Sequence, residues 1–256
     1  LGTRFRVHAT RANLNNLIGV PLTILEAPAD TEALVIEAGA SVPGEIARYR
    51  QIVEPTVAVV TNVAAGHLEG FGSLEGVLRE KLSLVESAPL AVVGTDPPAL
   101  AAGARELARR VVTAGLEGAE LRPESVTLDA AGRATVVTEQ ARFTLPLPGR
   151  HLAANAMLAM AVGRHLGLDP RAVGRALERL ELPGGRGQVV ATGGLTILND
   201  CYNANPLSFR AAIATAQAMR GGRRLVFVAG SMRELGEESV ALHAAVARDL
   251  VALRPD

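Results

Sequence analysis

The chain has 256 residues, 48% hydrophobic and 3% aromatic, with 26 basic and 26 acidic side chains that cancel to a formal charge of zero. This length allows one large or two modest domains, each able to bury a core unaided, and a neutral chain without a basic block lacks the electrostatic footprint of a nucleic-acid binder. No apolar run approaches the ~20 residues of a membrane span, Leu1-Gly2-Thr3-Arg4 has no signal layout, and the single Cys201 excludes an intrachain disulfide or a cysteine-built metal cage, so a cytoplasmic location is expected.

Short Val/Ile/Leu runs alternate with longer Ala/Leu/Arg stretches, which predicts an α/β fold with a mostly parallel sheet. Residues 33–37 and 56–61 read as buried parallel strands, with a crossover helix over 44–53 closed before Pro55. A helix over 74–87, a strand over 90–93, a helix over 99–110 and a strand at Val111-Val112 follow. From Ser125 to Leu147 the period changes to alternation around a turn at 129–132, which predicts a small antiparallel region ended by Pro146 and Pro148. Helices are predicted over 152–166 and from Asp169-Pro170, an N-cap followed by proline at the first helical position. Pro183-Gly184-Gly185-Arg186-Gly187 is the best linker candidate. Beyond it come a strand over 195–198, a helix over 208–219, a strand over 224–229 and a helix over 240–253, about two β-α units of a partial Rossmann-like domain. The domains are expected at 1–185 and 186–256.

Lys81 is the only lysine, so 25 of the 26 basic residues are arginine. GC-rich codon usage is the plain explanation. A retained lysine still supplies what arginine cannot, an amine able to lose its proton or form a carbamate. Because Lys81 follows Glu80, it cannot belong to a Gly-x-x-x-x-Gly-Lys-Ser/Thr phosphate loop, and the 256 residues contain none.

Four constellations carry chemistry. Glu37-Ala38-Gly39 and Thr61-Asn62 with His67 follow successive strands, where open α/β sheets place their ligand crevice. A carboxylate there suits magnesium and a neutral imidazole can complete the shell, although a helix cap and a loop histidine explain either residue alone. Lys81 is either functional or a solvated helix-face lysine. Gly149-Arg150-His151 with Asn155 could present an imidazole and an amide to a planar base, or be an ordinary helix start. Asp200-Cys201-Tyr202-Asn203-Ala204-Asn205-Pro206 is too polar and dense to be core and reads as a binding loop, with Asp200 suited to sugar hydroxyls.

Together with Pro43-Gly44-Glu45-Ile46, Val59-Val60-Thr61-Asn62-Val63 and His67-Leu68-Glu69-Gly70-Phe71-Gly72-Ser73, these runs resemble the Mur ligase family over essentially the whole chain. Asn13-Leu14-Asn15-Asn16, Ile18-Gly19-Val20-Pro21-Leu22-Thr23 and Gly230-Ser231-Met232-Arg233-Glu234-Leu235-Gly236 are most similar to members that join D-alanyl-D-alanine to UDP-N-acetylmuramoyl-tripeptide. The resemblance implies an ATP-dependent ligase of peptidoglycan precursor synthesis, monomeric at full length, working through an acyl phosphate without nucleic acid or membrane insertion. It implies that Glu37, His67 and a carbamylated Lys81 hold Mg2+. His151 and Asn155 would sit near adenine, Arg186 near the phosphates and Asp200 on the ribose, with Asn203 and Asn205 shaping that loop.

Ala64 and Gly66 reverse the family's order, Ser83 stands where glutamate is usual, and Leu17 replaces a more polar residue. With no phosphate loop and neither an N-terminal UDP-sugar domain nor a full C-terminal domain, an incomplete copy is expected that binds nucleotide feebly and does not turn over. Another Mur or folylpolyglutamate-type ligase and a noncatalytic nucleotide-binding or assembly remnant are the alternatives. A dinucleotide-binding dehydrogenase is disfavoured because no Gly-x-Gly-x-x-Gly follows a strand.

Overall fold

Every residue of Leu90–Val93 is buried, as expected of a central parallel strand covered on both faces. In the computed structural model, which describes residues 1–181 and 184–256, this strand (β4) lies between β3 (Val57–Val60) and β5 (Val111–Thr113), with parallel ladders on both sides. One face packs Leu90 and Val92 against β7 (Arg133–Val137), β8 (Arg142–Pro148) and α6 (Arg150–His165) through Val136, Phe143, Leu145 and Met157. The opposite face packs Ala91 and Val93 against α4 (Leu74–Leu82) and α5 (Pro98–Leu107) through Val77 and Leu100.

The antiparallel region has three strands, β6 (Ser125–Leu128), β7 and β8. Its first turn is closed by Asp129, whose carboxylate accepts from the amides of Ala131 and Arg133, both at 2.9 Å. Pro148 is the last residue of β8 and ends the region as expected, whereas Pro146 lies inside the strand. Proline is tolerated there because β8 is the edge strand and needs donors on one side only. Asp169 caps α7 (Pro170–Leu177), accepting from the amides of Arg171 and Ala172 at 3.2 Å.

The expected strand over 33–37 is shorter and more exposed than its composition suggests. Only Ala33–Val35 (β2) is regular, paired in parallel with β1 (Val7–Ala9), and Leu34 and Val35 remain exposed because this pair forms a sheet of its own. α1 (Gly19–Leu25) and α2 (Glu45–Val53) pack beside it around Val20, Ile46 and Tyr49. The expected helix over 74–87 stops at Leu82, and the last residues before β4 form turns.

Of the expected linker, Pro183 lies outside the described residues, while Gly185 and Gly187 adopt positive φ of 78° and 67° in an irregular stretch. Beyond it the antiparallel hairpin β9 (Gln188–Thr192) and β10 (Leu195–Asn199) precedes α8 (Pro206–Arg220), and a 3-10 turn at Gly236–Glu238 leads into α9 (Ser239–Leu253). The strand expected over 224–229 does not form. Val226 and Val228 are 64% and 93% exposed, and no neighbouring strand offers them a ladder. Ile213, Met232, Leu235 and Val246 make the small core of this part. Among the described residues no helix is long and apolar enough to cross a membrane.

Candidate functional site

The loops after β2 and β3 are held by hydrogen bonds that leave functional groups near the surface. Glu37 is exposed. Its amide donates to Thr10 Oγ1 at 2.9 Å, and its Oε1 accepts from Asn15 Nδ2 at 2.9 Å. The Gly39 amide donates to the Asn15 carbonyl at 2.8 Å, and a Cβ on Gly39 would come within 2.9 Å of that same side-chain amide. Asn15 therefore fixes both the carboxylate and the loop beyond it.

Two neighbours on α4 anchor the flanking segments. The carboxylate of Glu80, buried with 7% of its surface exposed, accepts at 2.8 Å from the amides of both Gly44 and Ile46 at the start of α2, where unpaired helix donors favour an acceptor. Lys81 Nζ, part-buried, donates at 2.8 Å to the carbonyl of Asn62 just beyond β3. Burial pushes the Lys81 ammonium below the ordinary lysine range, because a desolvated cation loses hydration that one hydrogen bond restores only in part.

His67 begins α3 (Leu68–Phe71) at a left-handed φ of 55°. Its Nδ1 meets the carboxylate of Glu234, a residue 167 positions away. Among the described residues no hydrogen bond or ion pair joins Glu37, His67 and Lys81 to one another, and no group of three or more His, Cys, Asp or Glu side chains could hold a metal ion. Magnesium does not require such a cage, since it is commonly held by one or two carboxylates plus substrate phosphates and water. The donor chemistry fits that mode. Glu37 offers hard oxygen, and His67 keeps Nε2 available while its other nitrogen engages a carboxylate, the usual arrangement behind a metal-binding imidazole.

The second group of expected residues gathers at the start of α6 and around the β10–α8 loop. His151 lies near Asp200. Although His151 is exposed, partial desolvation by the groups around the ring lowers the imidazole pKa below its ordinary value, and the Asp200 charge acts in the opposite direction. Asn155 is exposed one helical turn after His151. Asp200 Oδ1 accepts from the Gly187 amide at 2.9 Å, and the Tyr202 amide donates to the Gly185 carbonyl at 3.0 Å, so this loop is stitched to the glycine-rich stretch. The Arg186 guanidinium lies 4.2 Å from the Tyr202 ring centroid, a cation–π pair that holds the charge at the rim of the loop.

The two asparagines serve the loop itself. Asn203 Oδ1 accepts from the Ala204 amide at 2.8 Å. Asn205 Oδ1 accepts from the Ser208 amide at 2.9 Å while Ser208 Oγ accepts from the Asn205 amide at 3.0 Å, a reciprocal cap for α8. A Cβ on Gly66 would lie 3.8 Å from Asn205 Nδ2, so the His67 loop and the α8 cap adjoin. The sequence alone does not mark Glu80 or Glu234 as site residues. Glu80 was concealed beside the conspicuous lysine, and Glu234 had only its polar glycine-flanked run as a signal.

The sequence matches the Mur ligase middle domain over residues 1–163 and the Mur ligase glutamate ligase domain over residues 185–254. The chain belongs to the Mur ligase family. Within it, the chain is similar to UDP-N-acetylmuramoyl-tripeptide--D-alanyl-D-alanine ligase of Bacillus subtilis, 34% identical over 249 residues that cover 95% of this chain and 54% of that protein. The Escherichia coli ligase of the same name is 35% identical over 93% of this chain and 54% of its own length. Among solved structures, MurF from Acinetobacter baumannii superposes with a TM-score of 0.89 at 30% identity, covering 100% of this chain and 57% of that one. MurF from Thermotoga maritima in complex with ADP superposes at 0.86 and 30% identity, covering 98% and 59%. The chain thus spans about half the length of the relatives it matches.

Proposed function

We propose that the chain is the nucleotide-handling part of an ATP-dependent ligase that joins D-alanyl-D-alanine to UDP-N-acetylmuramoyl-tripeptide in peptidoglycan precursor synthesis. The single observation that carries this reading is the 34% identity, spread over 95% of the chain, to a ligase named for that reaction. In the proposed reaction a peptide carboxylate oxygen attacks the γ-phosphorus of ATP and ADP leaves. The amine of D-alanyl-D-alanine then attacks the acyl carbon, phosphate departs and the amine gives up a proton. There is little covalent work for side chains in such a transfer, so positioning and charge stabilisation dominate.

His151 and Asn155 are proposed beside adenine, Asp200 on the ribose hydroxyls and Arg186 against the phosphates, with Asn203 and Asn205 shaping the loop. Support comes from the shared neighbourhood of His151, Asp200, Arg186 and Tyr202. Glu37 and His67 would hold Mg2+, whose chemistry is to neutralise phosphate charge. Lys81 fits the carbamate role because its depressed pKa leaves more of the neutral amine that reacts with carbon dioxide. The domain boundary is placed at 185/186, and the full-length enzyme is read as a cytoplasmic monomer.

Because these 256 residues contain no phosphate loop, this chain alone is expected to bind nucleotide weakly without turnover. Calorimetry with magnesium-ATP on the wild type and Asp200→Ala tests the site, with weak heat expected from the first and none from the second. Equal heats from both would remove Asp200 from the site. Steady ADP release by this chain, dependent on both UDP-tripeptide and D-alanyl-D-alanine, would overturn the expectation of inactivity.

A further inference from the structure

Resting on the reading of His67 as a cation ligand, we infer that Glu234 is the positioning residue for His67: its carboxylate accepts a hydrogen bond from Nδ1–H and fixes the tautomer that leaves the Nε2 lone pair free. Several independent features bring Glu234 there. The ion pair with His67 is, among the ion pairs of the described residues, the one that joins the parts on either side of the glycine-rich stretch. Beside it the Glu69 amide donates to the Glu234 carbonyl at 3.2 Å, so backbone and side chain of one residue both engage the start of α3.

The segment is shaped for that contact. Glu234 adopts a left-handed φ of 60°, uncommon for a residue with a Cβ, and His67 opposite does the same at 55°. Gly236, at φ 55°, brings its backbone against α3. A Cβ there would meet Glu69 Cα at 3.4 Å and Glu69 N at 3.5 Å. Between them Leu235, 2% exposed, is buried in the small core that also holds Met232. The Met232 amide donates to His243 Nε2 at 3.0 Å, and His243 Nδ1 donates to the Ser239 carbonyl at 2.7 Å, which ties the segment to α9. Glu234 is thus presented from a braced turn.

An imidazole has one proton for two nitrogens when neutral, and the partner of one nitrogen decides what the other can do. With Nδ1–H donated to Glu234, Nε2 can only accept or ligate. Because Glu234 belongs to the part that carries α8 and α9, docking of that part sets His67 into its ligating form.

The test is 15N NMR of histidine-labelled chain without ligand under basic conditions, with His67 assigned by His67→Gln. The wild type should show a protonated, pyrrole-type Nδ1 and a pyridine-type Nε2. Glu234→Gln, whose amide oxygen still accepts, should keep that pattern. Glu234→Ala should reverse it, and Gly236→Ala should weaken it although the carboxylate remains, because the left-handed φ of 55° at Gly236 strains the turn once a Cβ is present. A wild-type ring protonated on Nε2, or a pattern unchanged in Glu234→Ala with the amide spectrum intact, overturns the inference. Titration with magnesium together with ADP, against ADP without the metal and read at Nε2, tests the ligand reading separately. No response there while the tautomer pattern holds would overturn the ligand role and leave the positioning role standing.

Discussion

The sheet around β4 and the part beyond the glycine-rich stretch are built from similar residues and packed very differently. β4 is covered on both faces by two extended clusters, whereas the cluster of the later part has four buried hydrophobic residues and all of β9 is exposed. The difference shows that apolar composition gives a core only where neighbouring strands complete the ladder and helices cover both faces. The segments at the edge of the well-packed part carry His67 and His151, and the thinly packed part brings Glu234 to the first and Asp200 to the second.

The largest expected effect comes from attacking the stronger side of this contrast. Phe143→Ala, at a site 1% exposed, should cost about 3–5 kcal/mol in denaturant unfolding, as buried aromatic truncations do. Leu235→Ala in the small core should cost about 2–3 kcal/mol, since a thin core relaxes more easily around a cavity. Hydrogen exchange should place that loss in α8 and α9 with protection of β4 unchanged. An equal loss in both parts would mean that they unfold as one cooperative unit and would break the comparison. Next in size, Asp200→Asn removes the charge but keeps the shape, and nucleotide affinity measured by calorimetry should fall about 10- to 100-fold, the range for a charge-assisted hydrogen bond.

The smallest effect concerns pH. Partial desolvation favours the neutral form of His151, an exposed residue, so the native chain binds slightly fewer protons there than the unfolded chain does. Stability should therefore rise with pH between the depressed native value and the ordinary imidazole value, then level off, and it should be lost as pH falls through that window. His151→Gln should flatten this dependence in denaturant titrations. Asp200→Asn should lower the His151 pKa further by removing the opposing charge, which an NMR titration of the ring would detect. An unchanged value would show that the two groups do not interact.

Much of the architecture was legible because its signals are local. The apolar run at 90–93, the Asp129–Gly132 turn and the Asp169-Pro170 cap each carry their own cause within a few residues. What failed depended on distant partners. Val226 and Val228 have strand composition, yet no strand lies beside them to pair with. β1 is three residues long and exists through its pairing with β2. At the site, residue types at the carboxyl ends of strands were readable, while the acids that brace them were not. Glu80 acts on amides 36 and 34 positions away and Glu234 on a ring 167 positions away, separations that no periodicity encodes.

Adjacent side chains on α4 reach in two directions. Glu80 grips the beginning of α2, and Lys81 grips the chain leaving β3. This nine-residue helix is a crossbar between the segment that follows Glu37 and the segment that leads to His67. The two segments are consequently tethered to the same rigid piece: displacing either one strains hydrogen bonds made by neighbouring residues of α4, so the helix braces both rims of the sheet's mouth at once.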